Sequence, residues 1–151
     1  MLSAGLGFDR RIGIDPKAAA PADIVPPATP GRLATPDGRV VWDATDAVRA
    51  HVTLNTPATR AVWGLVGGRR FDLGGVGFSV GAVDRDYAVL VLTSLDGRPV
   101  GSTKHALFVA VGAAGNPGVK WNDARTSVGD HWGRGPAEVN VIPAELTLPR
   151  G

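Results

Sequence analysis

The chain of 151 residues contains no cysteine. Disulfide frameworks, thiolate zinc sites and cysteine nucleophiles are thereby excluded, while the redox compartment stays open. Glutamate is nearly as scarce, with Glu138 and Glu145 the only two. No stretch reaches the roughly eighteen apolar residues that a membrane span requires, so no membrane is expected as a partner. The opening Met1 to Phe8 lacks a basic segment and a long apolar run, and Asp9-Arg10-Arg11 interrupts it, so it does not read as a signal peptide. If the protein is exported, its signal is expected on a longer precursor. Basic blocks are missing too. Sixteen Lys and Arg against fourteen Asp and Glu leave a net charge of +2, and only Arg10-Arg11 and Arg69-Arg70 are adjacent. With no aromatic ladder between those pairs, nucleic acid is not an expected partner.

What the chain has in quantity is glycine and proline, 21 and 12 residues. Without collagen's period or the low apolar content of disorder, that composition favours many turns and short strands. Residues 15–38 carry Asp15-Pro16, Pro21, Val25-Pro26-Pro27, Thr29-Pro30 and Thr35-Pro36, and read as an extended connection. It separates a short first strand, about Phe8 to Ile14, from the main body. Residues 1–37 are therefore expected to form an N-terminal strand and Pro-rich connection, and residues 38–151 the β domain, in one compact unit.

From residue 39 the strand signals come quickly. Arg39 to Trp42, Arg49 to Leu54 and Thr59 to Val66 are dominated by β-branched and aromatic residues. Gly67-Gly68 predicts a hairpin turn joining Thr59–Val66 to Arg69–Leu73, and Val76 to Val80 continues the pattern. Tyr87–Leu92 and Ala106–Val111 are nearly continuous apolar runs, as expected of central strands covered on both faces. Between them, Leu95 to Pro99 reads as a turn. Ala137 to Leu148 predicts a last strand, with Pro143 marking a bulge or an edge. No amphipathic helix is evident. The expected fold is all-β, an antiparallel two-sheet β-sandwich of about eight to nine strands, jelly-roll or immunoglobulin-like; a small closed barrel is the competing architecture.

Little in the sequence is catalytic. A glycosidase needs two carboxyl groups about 5 to 10 Å apart, whereas Glu138 and Glu145 on one strand would stand on the order of 23 Å apart on opposite faces. Asp43, Asp72, Asp84, Asp86, Asp96 and Asp130 lie beside Gly, Arg or turns, where capping explains them. His51, His105 and His131 show no metal-ligand spacing. Ser94 lacks a nucleophile elbow, and Gly74-Gly75-Val76-Gly77 lacks the following helix of a phosphate cradle. No enzyme activity is expected. No cofactor is expected either, with a structural calcium ion among the loop aspartates left open.

The aromatic residues carry the remaining signal. Trp121-Asn122-Asp123 and Asp130-His131-Trp132-Gly133-Arg134 set two indoles in polar, glycine-bearing surroundings. Sugar rings present apolar C–H faces and hydroxyls, which suits an exposed indole flanked by hydrogen-bonding groups. Trp121 and Trp132 are thus candidate stacking platforms, and Asn122, Asp123, His131 and Arg134 candidate hydrogen-bonding neighbours; covering one end of the core is the alternative for both indoles. Trp42 and Trp63 lie inside strands and are expected in the core.

The order Gly38-Arg39-Val40-Val41-Trp42-Asp43, Leu54 to Gly64 with its Asn55-Thr56-Pro57, Thr93-Ser94-Leu95-Asp96-Gly97-Arg98-Pro99 and Asn116-Pro117-Gly118 resembles a β-sandwich accessory domain that follows the TIM-barrel catalytic domain in large bacterial glycoside hydrolases. The likeness spans roughly residues 38–148. It departs at Asn116-Pro117-Gly118, where the family usually has Asn-Thr-Gly, and no barrel is present. The resemblance implies a carbohydrate-binding or ancillary module of a polysaccharide-degrading enzyme, secreted or periplasmic. Its partners would be a polysaccharide or oligosaccharide and a catalytic domain in the parent protein. A purely structural domain packed against such a barrel is the alternative.

Overall fold

The computed structural model describes residues 31–124 and 126–149. The strand expected at Phe8 to Ile14 lies outside them. Eleven strands are found among the described residues: β1 Arg32–Ala34, β2 Val40–Asp43, β3 His51–Asn55, β4 Thr59–Leu65, β5 Arg70–Leu73, β6 Val76–Val80, β7 Tyr87–Ser94, β8 Ala106–Val111, β9 Ala114–Gly115, β10 Glu138–Val139 and β11 Ala144–Thr147. That exceeds the eight or nine expected, because short pieces at the ends also pair. All pairings are antiparallel, in a six-stranded sheet ordered β1-β2-β3-β4-β7-β8, a three-stranded sheet β11-β6-β5 and a two-stranded ribbon β10-β9. The all-β class follows.

The first correction concerns the Pro-rich connection. It ends earlier than expected, because Arg32–Ala34 pairs with β2 in a hairpin. Thr35 Oγ1 donates to Asp37 Oδ1 over 2.7 Å and Arg39 N–H to the same oxygen over 3.1 Å, closing a turn in which Gly38 takes φ +66°. Pro36 sits in that turn, where a missing N–H costs nothing.

A second correction concerns the hairpin expected at Gly67-Gly68. The favoured two-residue hairpin turns need positive φ at the first central residue, and type I′ at both; Gly67, the first, does not have it, though Gly68 does. Gly74 and Gly75 do, at +67° and +84°, so the hairpin forms between β5 and β6 instead, with Leu73 facing Val76. At Gly67 the chain leaves the six-stranded sheet, pinned by Val66 N–H and Gly67 N–H donating to Asp86 O and by Gly68 N–H donating to Gly81 O.

One apolar cluster draws on both large sheets: Val62, Ala88, Leu90 and Leu92 from the six-stranded sheet meet Val76, Phe78 and Val80 from β6. Since side chains alternate across a strand, the parity that sends Val62 and Leu90 into this core sends Trp63 and Val89 to the opposite face. The register lines up Leu33, Trp42, Val52, Trp63, Val89 and Val111 in one row across that outer face. Trp42 and Trp63, expected in the core, are therefore half-buried on the outer face.

Two further expectations change. Among the described residues, β8 is an edge strand exposed along its whole length, not a covered central one. The single strand expected over 137–148 is broken into β10 and β11, which lie in different sheets. Pro143 stands at the break, its carbonyl accepting from Gly81 N–H over 2.7 Å, and β11 is indeed an edge. Ile142 beside it packs on the core.

Candidate functional site

The long connection from β9 to β10 folds back on itself as a ribbon carrying both candidate indoles. Asn116-Pro117-Gly118 turns the chain, with Gly118 at φ +80°. Val119 then bridges Trp132, Lys120 N–H donates to His131 O over 3.1 Å, and Arg134 N–H donates to Pro117 O over 2.9 Å. Asn116 Nδ2 ties the arms together by donating to Trp132 O over 3.3 Å. Close approach requires glycine at 133: its φ is +73°, and a Cβ there would fall 2.5 Å from Pro117 O.

Asn122 organises the tip. Its Oδ1 accepts from Thr126 N–H over 2.8 Å and from Ser127 N–H over 3.3 Å, while its Nδ2 donates to Thr126 Oγ1 over 3.0 Å. Val128 is the buried residue of this region and anchors the tip. The result is a concavity of about 800 Å³ lined by Trp121, Trp132, Val128, Asn116, Arg85 and Glu138 among others. Trp121 is 48% and Trp132 67% exposed, so both indoles offer apolar surface to solvent.

Of the six residues proposed from the sequence, Trp121 and Trp132 meet in this concavity and Asn122, Asp123, His131 and Arg134 do not line it. Asn122 is taken up by its own loop, and strand-like alternation turns His131, next to Trp132, to the opposite side. Instead, the polar side chains of the wall are Asn116, Arg85 and Glu138, with Thr126 and Ser127 from the tip. Arg85 arrives from the crossing before β7, where its backbone has φ +55° and its Nε pairs with Asp84 Oδ2 at 3.3 Å. Only Asn116, inside the Asn-Pro-Gly turn, carried a signal in the sequence. Arg85 and Glu138 are 53 positions apart, and their segments are tied by Asn140 Nδ2, which donates to Asp84 Oδ2 over 3.1 Å.

The carboxylates elsewhere hold turns. Asp96 accepts from Lys104 N–H, Thr103 Oγ1, Ser94 Oγ and Arg98 N–H, at 3.0, 2.7, 2.8 and 3.2 Å, and these bonds keep its carboxyl far below the usual range. Asp37 and Asp43 are lowered by the same kind of bond, to Thr35 and to Thr45. Carboxylates held ionised in this way are poor proton donors near neutral pH. Asp43, Asp123 and Asp130 do not line the concavity that Glu138 lines. Among the described residues, no three of His, Asp and Glu cluster closely enough to hold a metal ion.

The two turn motifs of the resemblance touch each other. Val100 N–H donates to Pro57 O over 2.8 Å, Ser94 N–H to Ala58 O over 2.8 Å, and the hydroxyls of Thr59 and Thr93 lie 2.8 Å apart. Both motifs are thus scaffold, 20 or more positions before the indoles. No family model, no curated protein and no solved structure matches the chain.

Proposed function

We propose that this chain is a non-catalytic, carbohydrate-binding module with a two-sheet β-sandwich fold, jelly-roll or immunoglobulin-like, that holds a polysaccharide or oligosaccharide near the catalytic domain of a secreted or periplasmic parent enzyme. The observation that carries it is the pair of half-exposed indoles, Trp121 and Trp132, on the wall of one open concavity beside Asn116, Arg85 and Glu138. Indole faces suit the C–H faces of sugar rings, and the amide, guanidinium and carboxylate suit their hydroxyls. Holding glycan this way raises its effective concentration at a neighbouring active site without new chemistry. The glycoside hydrolase resemblance of residues 38–148 supplies the expected context, as an analogy of fold.

Affinity electrophoresis of the full chain across soluble glucans, mannans, xylans and galactans tests the reading, with tryptophan fluorescence on any hit. Retardation by one class that is lost in the folded Trp121→Ala, Trp132→Ala double variant is the expected result. No retardation by any class, or retardation that the double variant keeps, would sink the assignment.

A structural role, packing against a catalytic barrel, is the second reading. It is favoured by the outer face of the six-stranded sheet, where Trp63, Val89, Val91, Val109 and Val111 form an apolar surface on the side away from the core.

A further inference from the structure

Among the described residues the outward edge of β8 is unpaired, and no residue of β8 lines the groove. Along β7, even-numbered residues bond to β4, as Ser94 N–H does to Ala58 O, and odd-numbered residues bond to β8, as Leu95 N–H does to His105 O. Antiparallel alternation then turns the backbone groups of Leu107, Val109 and Val111 toward β7 and those of Ala106, Phe108 and Ala110 outward. Among the described residues, no strand pairs with that outward edge. Protein edges are ordinarily guarded by lysine, proline, bulges or a covering loop. From Ala106 to Val111 there is no charge and no proline, and every residue is exposed.

We propose that β8 pairs antiparallel with β8 of a second copy of this chain, about a two-fold axis through Val109, joining two six-stranded sheets edge to edge. An axis normal to the sheet keeps each face on its own side, so paired residues must share parity. With Val109 on the axis, Leu107 faces Val111 of the second copy and Phe108 faces Ala110. Phe108 and Ala110 are the residues whose N–H and C=O point outward, so the register makes the ladder bonds that are open. It also sets the large Phe108 against the small Ala110 and fuses the outer stripes of Leu107, Val109 and Val111 into one. The two-fold arrangement also keeps the two Lys104 side chains, each just before β8, at opposite ends of the pairing. A closed two-fold pair is also the commonest symmetric assembly. The pairing is independent of whether the groove binds glycan.

Sedimentation velocity of the full chain over a micromolar concentration series reads the mass. A species of twice 15.6 kDa is expected at the upper end. Ala110→Pro removes only an outward N–H and should return the chain to monomer with an unchanged strand signal in circular dichroism. Val109→Lys, which sets two lysines against each other at the axis, should do the same and carries the test if Ala110→Pro does not fold. Because the chain has no cysteine, Val109→Cys provides a direct check of register. Directly opposed residues of a non-hydrogen-bonded pair lie about 4.5 Å apart at Cα, within disulfide reach, so mild oxidation should give a covalent dimer. A wild-type chain that stays at 15.6 kDa throughout overturns the proposal. So does a folded Val109→Lys variant that still dimerises, or a Val109→Cys variant that does not cross-link while the chain is dimeric.

Discussion

The region around β4, β6 and β7 and the region from 112 to 143 are built on different physics. The first holds Val62, Phe78 and Leu90 at 0% exposure, and its strands pair on both sides. In the second, Val128 is the one buried hydrophobic among the described residues, and shape comes from Asn116, Asn122, Ser127 and a left-handed Gly133. Burial scales with apolar area and gives a rigid platform; side-chain hydrogen bonds in exposed loops contribute far less net stability. A scaffold that has already met the cost of ordering the chain lets a loop carry two exposed indoles it could not otherwise hold in place.

The largest expected effect tests the scaffold side. Phe78→Ala empties a fully buried site and should cost about 3–5 kcal/mol in urea denaturation, whereas Phe108→Ala, whose 37% exposed ring stacks on Phe78 with centroids 6.4 Å apart, should cost only about 1 kcal/mol. Equal losses would mean that the edge is as tightly packed as the centre. Next come two glycines in parallel. At Gly64, φ +119°, a Cβ would meet Ala50 O at 2.6 Å inside the main sheet, so Gly64→Ala should lower global stability by about 1–3 kcal/mol. Gly133→Ala, equally crowded, should leave Tm nearly unchanged while opening the ribbon and abolishing glycan retardation, because local opening there is uncoupled from the core.

The Trp121→Ala, Trp132→Ala pair should sharpen the contrast further. Surface truncations of this kind should alter stability by no more than about 0.5 kcal/mol, while glycan affinity should fall at least about tenfold, or about 1.4 kcal/mol. The smallest effect expected is at Asp96. Its folded-state carboxyl is held below the ordinary value, so its stabilising contribution is complete above that value, 3.8, and is lost as pH falls through the lower folded one. Asp96→Asn should remove that acid-limb dependence from a Tm-against-pH series and loosen the β7–β8 loop, leaving the neutral-pH strand signal intact.

Much of the strand content was legible. β2, β3, β4, β6, β7 and β8 fall where the β-branched runs predict them, because residue type and period act through nearest neighbours. The tryptophans divide instructively. Trp121 and Trp132 stood out as candidate platforms from the glycines and polar residues around them, with covering the core as the alternative, and the structure leaves both exposed in one concavity. Trp42 and Trp63 were misplaced because an apolar run looks the same whichever of its faces meets the core, and a shift of parity decides which. Arg85 and Glu138 left no mark, since neither belongs to a motif and they reach the groove from separate elements, the turn before β7 and β10.

The hairpin tells the same story at the level of topology. Local sterics made both Gly67-Gly68 and Gly74-Gly75 turns, and that much is written in residues that touch along the chain. Choosing β5–β6 as the hairpin, sending β4 to β7 and placing β8 last in the six-stranded order among the described residues depended on which pairing buried Phe78, Val62 and Leu90 together. That choice is a sum over contacts far apart in sequence, and a local pattern carries no record of it.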